Sequence, residues 1–513
     1  MNAAHVDHPL HGPGRVVAFQ RGGRLALVEF QSLRLPTLVP VRELSGPTLN
    51  TAVGSTDVLK DHGLPQIPAP ALTGSYDQTL AIQTLEAMRL GVVPANDLEI
   101  YTVGRERELA IVDADLQRVQ TEGGAARAFL ADYGVGKTHL LERVGQRALA
   151  AGYLTANVVL DAREAAPSHP KRVYRALVRA LRYPERPFEE GSGLRPLLER
   201  AALSADAREA FQVDESGGIT DARLLLEHGM HLYLTPAIAY MSALAKDDLV
   251  LRESRKTRIA EPEAFAEHAR DLVLDWLEGH PTVSNADIND ELAALHGRFS
   301  RIYSLSDYRP WARIYSYILS GIAALARRCG YQGLVVLIDE AELYNLLSSE
   351  NREYAKILFK ALSCASLGPN QVPFDADDLN LGGAGILQEL PARYSEQPGL
   401  YTVFAMTPNA DGIETLFEAI PRALTSELSS LSTADYDALV QKVGDFYASA
   451  RPDWQLDHAA IGRITTVIRQ ARHSGHIANP RQAMKLIIEL LDLQRYYPDR
   501  IESVIRSLQH TMF

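Results

Sequence analysis

The feature that most constrains this sequence is a glycine-rich loop between a short apolar run and a helical pattern. The loop reads Ala131-Asp132-Tyr133-Gly134-Val135-Gly136-Lys137-Thr138. In a strand–loop–helix context, backbone N–H groups and the helix N-terminus cradle phosphate oxygens, so this P-loop predicts nucleotide binding. Lys137 places a positive charge at the β- and γ-phosphates, and the Thr138 hydroxyl is a candidate Mg²⁺ ligand. Ala131 stands where the usual pattern has glycine, but Gly134 and Gly136, nearest the phosphates, are present.

An acidic pair follows a second apolar run. Residues 334–338 are all apolar and predict a buried strand, and Asp339 and Glu340 come directly after it. Ligands of open α/β sheets bind at the carboxyl ends of the strands. We therefore expect Asp339 to hold Mg²⁺ through water and Glu340 to polarise the attacking water as a general base. The alternative is that the two carboxylates only stabilise the N-terminus of the next helix.

Strand and helix patterns alternate along most of the chain. Apolar runs at 129–130, 154–160, 334–338 and 400–406 predict strands, and 138–149 predicts a helix. Such alternation is typical of a parallel α/β sheet. Roughly two hundred residues separate Lys137 from Asp339, far more than a bare P-loop core needs. We therefore predict an ATPase core at 78–432 with a helical insertion at about 170–310, and a helical lid at 433–513.

The first 77 residues have a different composition. Two β-rich runs flank Gly22-Gly23 and predict a hairpin. Residues 1–46 resemble the small SH3/Tudor-like barrels that open transcription–repair coupling factors or end some helicases. Two roles are compatible with such a barrel. It packs or docks without any further function, or it docks a partner or nucleic acid. Residues 47–77, rich in Pro, Gly, Ser and Thr, predict a linker.

Two further segments supply candidate catalytic residues. Thr407 and Asn409 follow the strand at 400–406, where polar side chains can position a water, although a simple exit turn is equally compatible. Asn479-Pro480-Arg481 opens a helix, with Asn as the cap and Pro in the first turn. Arg481 is a candidate to reach the γ-phosphate, and a solvent-exposed role is the alternative.

Charge and composition limit the partners. The net charge of -12 argues against non-specific coating of DNA by the whole surface. A basic stripe at Arg172–Arg182 predicts an amphipathic helix that contacts DNA, a subunit or solvent. No apolar run approaches the ~18 residues of a membrane helix, and the first residues lack a signal core. With two cysteines, Cys329 and Cys364, we expect a cytoplasmic protein without disulfides.

A second motif, the Gly-Arg-Glu box, lies one helix before the P-loop. Val103-Gly104-Arg105-Glu106-Arg107-Glu108-Leu109 resembles the entry to origin-recognition-type AAA+ ATPases and STAND ATPases, where it lies near the adenine. That box, the Asp132–His139 run, the acidic strand and Asn479-Pro480-Arg481 occur in one order. Together they resemble the BrxD-like ATP-binding proteins of BREX-type phage-exclusion systems. The resemblance implies an AAA+ ATPase in antiviral defence that binds ATP and Mg²⁺, with Gly104, Arg105 and His139 added to the nucleotide site.

The sequence departs from the origin-recognition pattern after the fourth strand. Origin-recognition-type ATPases carry a Ser-Arg pair after the fourth strand, and its arginine serves a neighbouring subunit. Here Ser426 is followed by Glu427, and Arg422 is the nearest substitute for an arginine finger. We expect a homo-oligomer that works with a helicase or other defence proteins and meets DNA through the N-terminal barrel or the basic helix. The leading hypothesis is an ATP-driven remodeller of DNA-bound complexes; the alternative is a non-catalytic switch or STAND-like signalling module.

Overall fold

The computed structural model separates two compact units, Met1–Pro65 and Gln66–Phe513. It describes residues 5–8, 12–20, 25–30, 37–40, 78–92, 98–187, 191–214, 216, 219, 221–245, 262–281, 285–292, 295, 302–379, 390–408 and 410–512. The predicted linker at 47–77 lies outside these ranges, as does the Gly22-Gly23 turn.

The first unit contains an antiparallel sheet in chain order. Its strands are β1 (His5–His8), β2 (Gly12–Gln20), β3 (Leu25–Phe30) and β4 (Thr37–Pro40). Gln20 pairs with Leu25 and Phe19 with Ala26, as the hairpin pattern predicts, and the register shifts between Val16 and Ala18. Closure of this sheet into a barrel stays a prediction.

From Gln78 onward, the second unit runs through helices into the central sheet. In chain order it contains α1 (Gln78–Leu90), α2 (Leu98–Tyr101), α3 (Glu106–Glu122), β5 (Gly124–Leu130), α4 (Lys137–Ala150) and β6 (Leu154–Val159). The segment between β6 and the next strand holds α5 (Pro170–Arg179), α6 (Arg195–Leu203), α7 (Ala205–Ala210), α8 (Ala222–Glu227), α9 (Leu234–Leu244), α10 (Pro262–Leu277), α11 (Asn285–Leu292) and α12 (Ala312–Arg328).

The chain then returns to the sheet and ends in helices. These elements are β7 (Leu334–Asp339), a 3-10 helix (Ala341–Leu346), α13 (Ser349–Leu367), β8 (Leu400–Met406), α14 (Ala410–Ala419), β9 (Thr425–Glu427), α15 (Thr433–Ala450), α16 (His458–His473), α17 (Pro480–Tyr496) and α18 (Ile501–Met512). Within the described residues, none of the helices is both long and apolar enough to cross a membrane.

The central sheet has five parallel strands in the order β6-β7-β8-β5-β9 across the described residues. Every residue of β5, β7 and β8 is buried, because helices cover both faces. The predicted parallel α/β core is therefore confirmed. The sequence missed β9, whose Thr-Ser-Glu has no apolar residue, and it started β5 five residues late, at 129.

Each face of the sheet has its own apolar core. One core joins α3 and α4 to the sheet through residues such as Val112 and Val144. The other joins the helices between β6 and β7 to the opposite face, so those helices pack as part of the core. Cys329 and Cys364 are buried there as free thiols. The interval predicted to hold a helical insertion thus contains helices α5–α11.

A third core lies in the C-terminal helices. It combines α15, α16, α17 and α18 with α1 and α2, through side chains such as Leu85, Leu98, Val443 and Ile487. The helices that precede the sheet therefore pack with those that follow it. This arrangement brings α1, α2, α15 and α17 together at one side of the phosphate loop.

Candidate functional site

The phosphate loop connects β5 to α4. Gly134 and Gly136 have φ of 82° and 111°, in the left-handed region that favours glycine. Among the described non-glycine residues only Gln212 and Glu340 have positive φ, so Ala131 adopts its position without that strain. No side chain caps the first turn of α4, which the structure describes in full. Its first N–H groups are therefore available to an anion.

Lys137 is buried beneath this loop. Its Nζ donates to the carbonyl oxygen of Ala131 at 3.1 Å and to Thr407 Oγ1 at 2.7 Å. Thr407 follows β8, which lies beside β5 and β7 in the sheet. The carboxyl ends of parallel strands meet at one edge, which explains why the predicted polar residue after β8 reaches the loop lysine.

Asp339 and Thr138 form a pair of oxygen ligands. Asp339 ends β7 with 2% exposure, and Thr138 Oγ1 donates to its Oδ2 at 2.7 Å. Asp339 Oδ1 accepts from the backbone N–H of Glu340 at 2.9 Å. Mg²⁺ prefers a few such hard oxygens and completes its shell with waters and phosphates, so the pair fits this ion.

Glu340 has an unusual backbone conformation. Its φ and ψ are 57° and 36°, a left-handed conformation that costs a non-glycine residue about 1–3 kcal/mol. The side chain is half-buried and lines the same cleft as Lys137 and Thr138. Burial raises the pKa of Glu340, and the carboxylates of Glu342 and Asp339 raise it further. The strained backbone therefore places a proton-accepting group next to the phosphate loop.

The Gly-Arg-Glu box anchors the loop from its other side. Arg105 has 3% exposure, and it donates through Nη2 to Val135 O at 2.7 Å and through Nη1 to Ser429 O at 2.9 Å. Gly104 has φ of 61°, and a Cβ there would lie 2.8 Å from the Asp435 carboxyl carbon in the first turn of α15. Burial lowers the pKa of Arg105, but its carbonyl partners keep the cation hydrogen-bonded.

His139 lies one residue beyond Thr138. Its Nε2 is 2.8 Å from Thr102 Oγ1, and its ring is 5.4 Å from that of Tyr101. Burial, together with the charges of Arg143 and Arg105, lowers the pKa of His139 to about 4. A neutral imidazole therefore connects the helix after the loop to the segment before the Gly-Arg-Glu box.

A cleft runs between the phosphate loop and the C-terminal helices. It encloses about 940 Å³ of space, including solvent at its open mouth. Its lining combines the polar residues already described with apolar side chains: Met88, Val92, Tyr101, Val103, Leu431, Leu439 and Met484. One end thus suits phosphates and the other an apolar base.

Helix α17 covers one edge of the cleft. Asn479 caps this helix by accepting from Gln482 N at 3.1 Å, and its Nδ2 would be 2.7 Å from a Cβ on Gly134. Arg481 Nη1 is 3.5 Å from the hydroxyl of Tyr133, a residue with 73% exposure. The predicted Asn479-Pro480-Arg481 segment thus touches the phosphate loop itself.

Three predicted site residues remain: Arg422, Asp132 and Asn409. Arg422 is exposed, with its guanidinium 4.6 Å from the Phe417 ring centre, and it does not line the cleft of its own chain. Asp132 is exposed in the loop, and its backbone carbonyl oxygen accepts from the Val135 N–H at 3.3 Å. Asn409 lies outside the described residues.

The basic stripe differs from the prediction. Helix α5 ends at Arg179, so the expected helix through Arg182 is wrong at its end. The backbone of Arg182 bonds instead with Thr155 of β6, and its side chain donates to Glu142 at 3.2 Å. Arg172 donates to Asp307 at 2.9 Å. Two cations of the stripe are thus held by carboxylates of the same chain.

Glu342 belongs to the site, although the sequence reasoning did not assign it a role. Its Oε1 accepts from Thr407 Oγ1 and lies 3.8 Å from Lys137 Nζ. The signal available in the sequence was the third acid of the run Asp339-Glu340-Ala341-Glu342.

The comparisons with known proteins agree with this geometry. A family model described as the BREX system ATP-binding protein BrxC/D matches residues 78–362, more than half of the chain. The matched span contains the Gly-Arg-Glu box, the phosphate loop and the Asp339-Glu340 pair. No curated protein and no solved structure gave a significant match.

Proposed function

The chain belongs to the family of BREX system ATP-binding proteins BrxC/D, and we propose that it hydrolyses Mg-ATP to remodel DNA-associated complexes in phage defence. One observation carries the chemical part of this proposal. Lys137, Thr138, Asp339 and Glu340 converge at one cleft, although roughly two hundred residues separate the loop from the acidic pair.

The loop and its neighbours would bind the nucleotide. The N–H groups at the start of α4 and the ammonium of Lys137 would hold the β- and γ-phosphates. Thr138 and Asp339 would hold Mg²⁺, which neutralises phosphate charge when it is bound. The apolar side chains around Tyr101 and Leu439 would enclose the base, and Gly104, Arg105 and His139 would fix the shape of that end.

Glu340 would act as the general base for hydrolysis. It lines the cleft, and burial and nearby carboxylates raise its pKa, which suits it to accept a proton from water. Thr407 would position the water or the γ-phosphate, because its hydroxyl already contacts the loop lysine. Arg481 would approach the phosphates from α17, and the Asn409 assignment rests on sequence alone.

Family membership supports the larger role. A BREX system protein works with other defence proteins, and a helicase or a second copy of this chain are the partners we propose. Arg422 is exposed and lies away from its own cleft, a position that suits an arginine finger only if it acts on a neighbouring subunit. DNA contact would run through the N-terminal sheet or the Arg172–Arg182 segment, where Arg172 and Arg182 would have to exchange their acidic partners for phosphates.

The test is Mg-ATP turnover, with and without duplex DNA, in the unchanged chain and in Glu340→Gln. We expect Glu340→Gln to lower turnover by about a hundredfold or more while ATP still binds. Glu353→Gln, which changes an exposed glutamate of α13, is the matched control and should leave turnover unchanged. Equal turnover in Glu340→Gln and the unchanged chain would reject Glu340 as the base.

A cellular comparison separates hydrolysis from a binding switch. If Glu340→Gln retains phage defence while Lys137→Ala loses it, the non-catalytic switch is favoured over the remodeller. Mass measurement with and without ATP and DNA tests assembly in the same set of proteins. A monomer under every condition would reject the proposed oligomer and the role of Arg422 in it.

A further inference from the structure

Glu342 and Lys137 are connected through the hydroxyl of Thr407. Lys137 Nζ donates to Thr407 Oγ1 at 2.7 Å, and Thr407 Oγ1 in turn donates to Glu342 Oε1. The lysine and the carboxylate are also 3.8 Å apart, close enough for an ion pair. The chain of contacts therefore leads from a buried cation to a partly buried anion through one hydroxyl.

The Glu342 carboxylate has incomplete hydrogen bonding. Its side chain is 19% exposed, and its Oε2 is buried without a hydrogen-bond partner among the described residues. A buried carboxylate oxygen in this state is costly, unless a cation compensates its charge. Lys137 is the cation nearest to it in the phosphate site, so Glu342 depends on the lysine that a nucleotide would also need.

We propose that Glu342 is a positioning residue that competes with the γ-phosphate of ATP for Lys137, so that ATP and ADP leave Lys137 and Thr407 in different arrangements. The inference rests on the proposed function, because it requires a nucleotide in this cleft. The ammonium of Lys137 has three donors, of which Ala131 O and Thr407 Oγ1 take two. A γ-phosphate drawn to Lys137 therefore enters the neighbourhood of the Glu342 carboxylate.

Electrostatic repulsion predicts which nucleotide Glu342 disfavours. Two anions within several Å of one buried cation repel each other, and the low local dielectric strengthens the repulsion. ADP has no γ-phosphate, so it brings less negative charge to Lys137 and disturbs the Lys137–Thr407–Glu342 contacts less. The carboxylate thus lowers the affinity for ATP more than the affinity for ADP.

Glu342 lies in the same short helix as an exposed apolar residue. Glu342 lies in the first turn of the 3-10 helix Ala341–Leu346, and its carbonyl accepts from Asn345 Nδ2 at 2.9 Å. Leu346, at the end of the helix, is 81% exposed. A displacement of Glu342 by the γ-phosphate would therefore move a short helix that ends in an exposed apolar side chain.

The experiment compares nucleotide affinities of the full chain by calorimetry. The probes are ADP and the non-hydrolysable β,γ-imido analogue of ATP, both with Mg²⁺. We expect Glu342→Gln, which keeps an acceptor for Thr407 but removes the charge, to raise affinity for the analogue about tenfold relative to ADP. Glu342→Asp keeps the charge and should give a smaller shift, and Glu353→Gln is the control.

Amide hydrogen exchange gives a second readout. In the unchanged chain, exchange at Ala341–Leu346 should differ between the analogue-bound and ADP-bound proteins, and Glu342→Gln should reduce that difference. If Glu342→Gln changes neither affinity, or changes both by the same factor, the inference is overturned. If the unchanged chain binds neither nucleotide, the proposed function fails first, which distinguishes the two failures.

Discussion

The guanidinium of Arg105 donates a 2.7 Å hydrogen bond to the carbonyl oxygen of Val135, inside the phosphate loop. A second bond, to Ser429 O at 2.9 Å, connects the same side chain to the segment that leads into α15. Arg105 thus joins three parts of the chain that are far apart in sequence: the box, the loop and the entry to the C-terminal helices.

Replacing Arg105 should weaken both stability and nucleotide binding. Arg105→Lys keeps the charge, but an ammonium cannot reproduce the planar fork that serves both carbonyls. We expect a loss of about 1–3 kcal/mol in stability and weaker ATP binding. Thermal unfolding and calorimetry measure the two effects. Arg107→Lys, at an exposed arginine in the first turn of α3, is the control, and equal behaviour of the two variants would contradict the anchoring role.

The Thr138–Asp339 contact predicts how Mg²⁺ affects binding. Thr138→Val keeps the shape of the side chain but removes the hydroxyl that donates to Asp339. We expect Mg²⁺ to strengthen ATP binding in the unchanged chain and in Thr138→Ser, but much less in Thr138→Val. Titrations with and without Mg²⁺ test this. An undiminished effect of Mg²⁺ in Thr138→Val would remove Thr138 from the ion site.

Breaking one buried ion pair should destabilise the sheet. Arg127 of β5 donates through Nε and Nη2 to both oxygens of Asp115, each at 2.7 Å, and Tyr401 OH donates to Asp115 at 2.9 Å. Asp115→Ala leaves the Arg127 cation buried without its partner, which costs about 3–5 kcal/mol. Thermal unfolding should show a large decrease, whereas Asp437→Ala, at an exposed pair with Arg469, should have little effect.

Much of the core was predictable because its signals are local. The buried strands β7 and β8 consist mostly of apolar residues, and the phosphate loop has a fixed residue pattern. Strand β5 shows the limit of local signals. Residues 124–128 of β5 read Gly-Ala-Ala-Arg-Ala, which is poor in β-formers, and become a strand because β8, β9 and Asp115 surround them.

The site was predictable only in part, for the same reason. Lys137, Thr138, Asp339 and Glu340 follow from motifs, but the contact between Lys137 and Thr407 depends on the order of strands in the sheet. Glu342 was missed because its role arises from a left-handed residue at Glu340, which redirects the chain into a 3-10 helix. Helix α1 packs with α15 and α17, and no local pattern in the sequence encodes that pairing.

Two histidines that are largely shielded from solvent predict a loss of stability in acid. Burial lowers the pKa of His231 to about 3 and that of His139 to about 4, below the ordinary value of 6.5. Between pH 6.5 and these values the unfolded chain binds more protons than the folded chain, so stability falls as the pH falls. At pH 5 each histidine should cost about 2 kcal/mol relative to pH 7.

Thermal unfolding at pH 7 and pH 5, without nucleotide, measures this effect. His231→Gln should show a smaller decrease between the two pH values than the unchanged chain, even if it is less stable at pH 7. His268→Gln, at an exposed histidine, is the control and should retain the full decrease. If His231→Gln shows the same decrease, the buried imidazole is not the source of the pH dependence.

The contact between Asn479 and the phosphate loop predicts a coupling between α17 and nucleotide release. Asn479→Ala removes the cap of α17, at a cost of about 1 kcal/mol, and also the side chain that covers Gly134. Asp457→Ala removes the cap of α16, which accepts from Ala459 N at 2.9 Å, without touching the loop. We expect similar losses of stability in both, but faster release of ATP only in Asn479→Ala, as measured by stopped-flow fluorescence of a labelled nucleotide. Equal release rates in the two variants would show that α17 covers the loop without retaining the nucleotide.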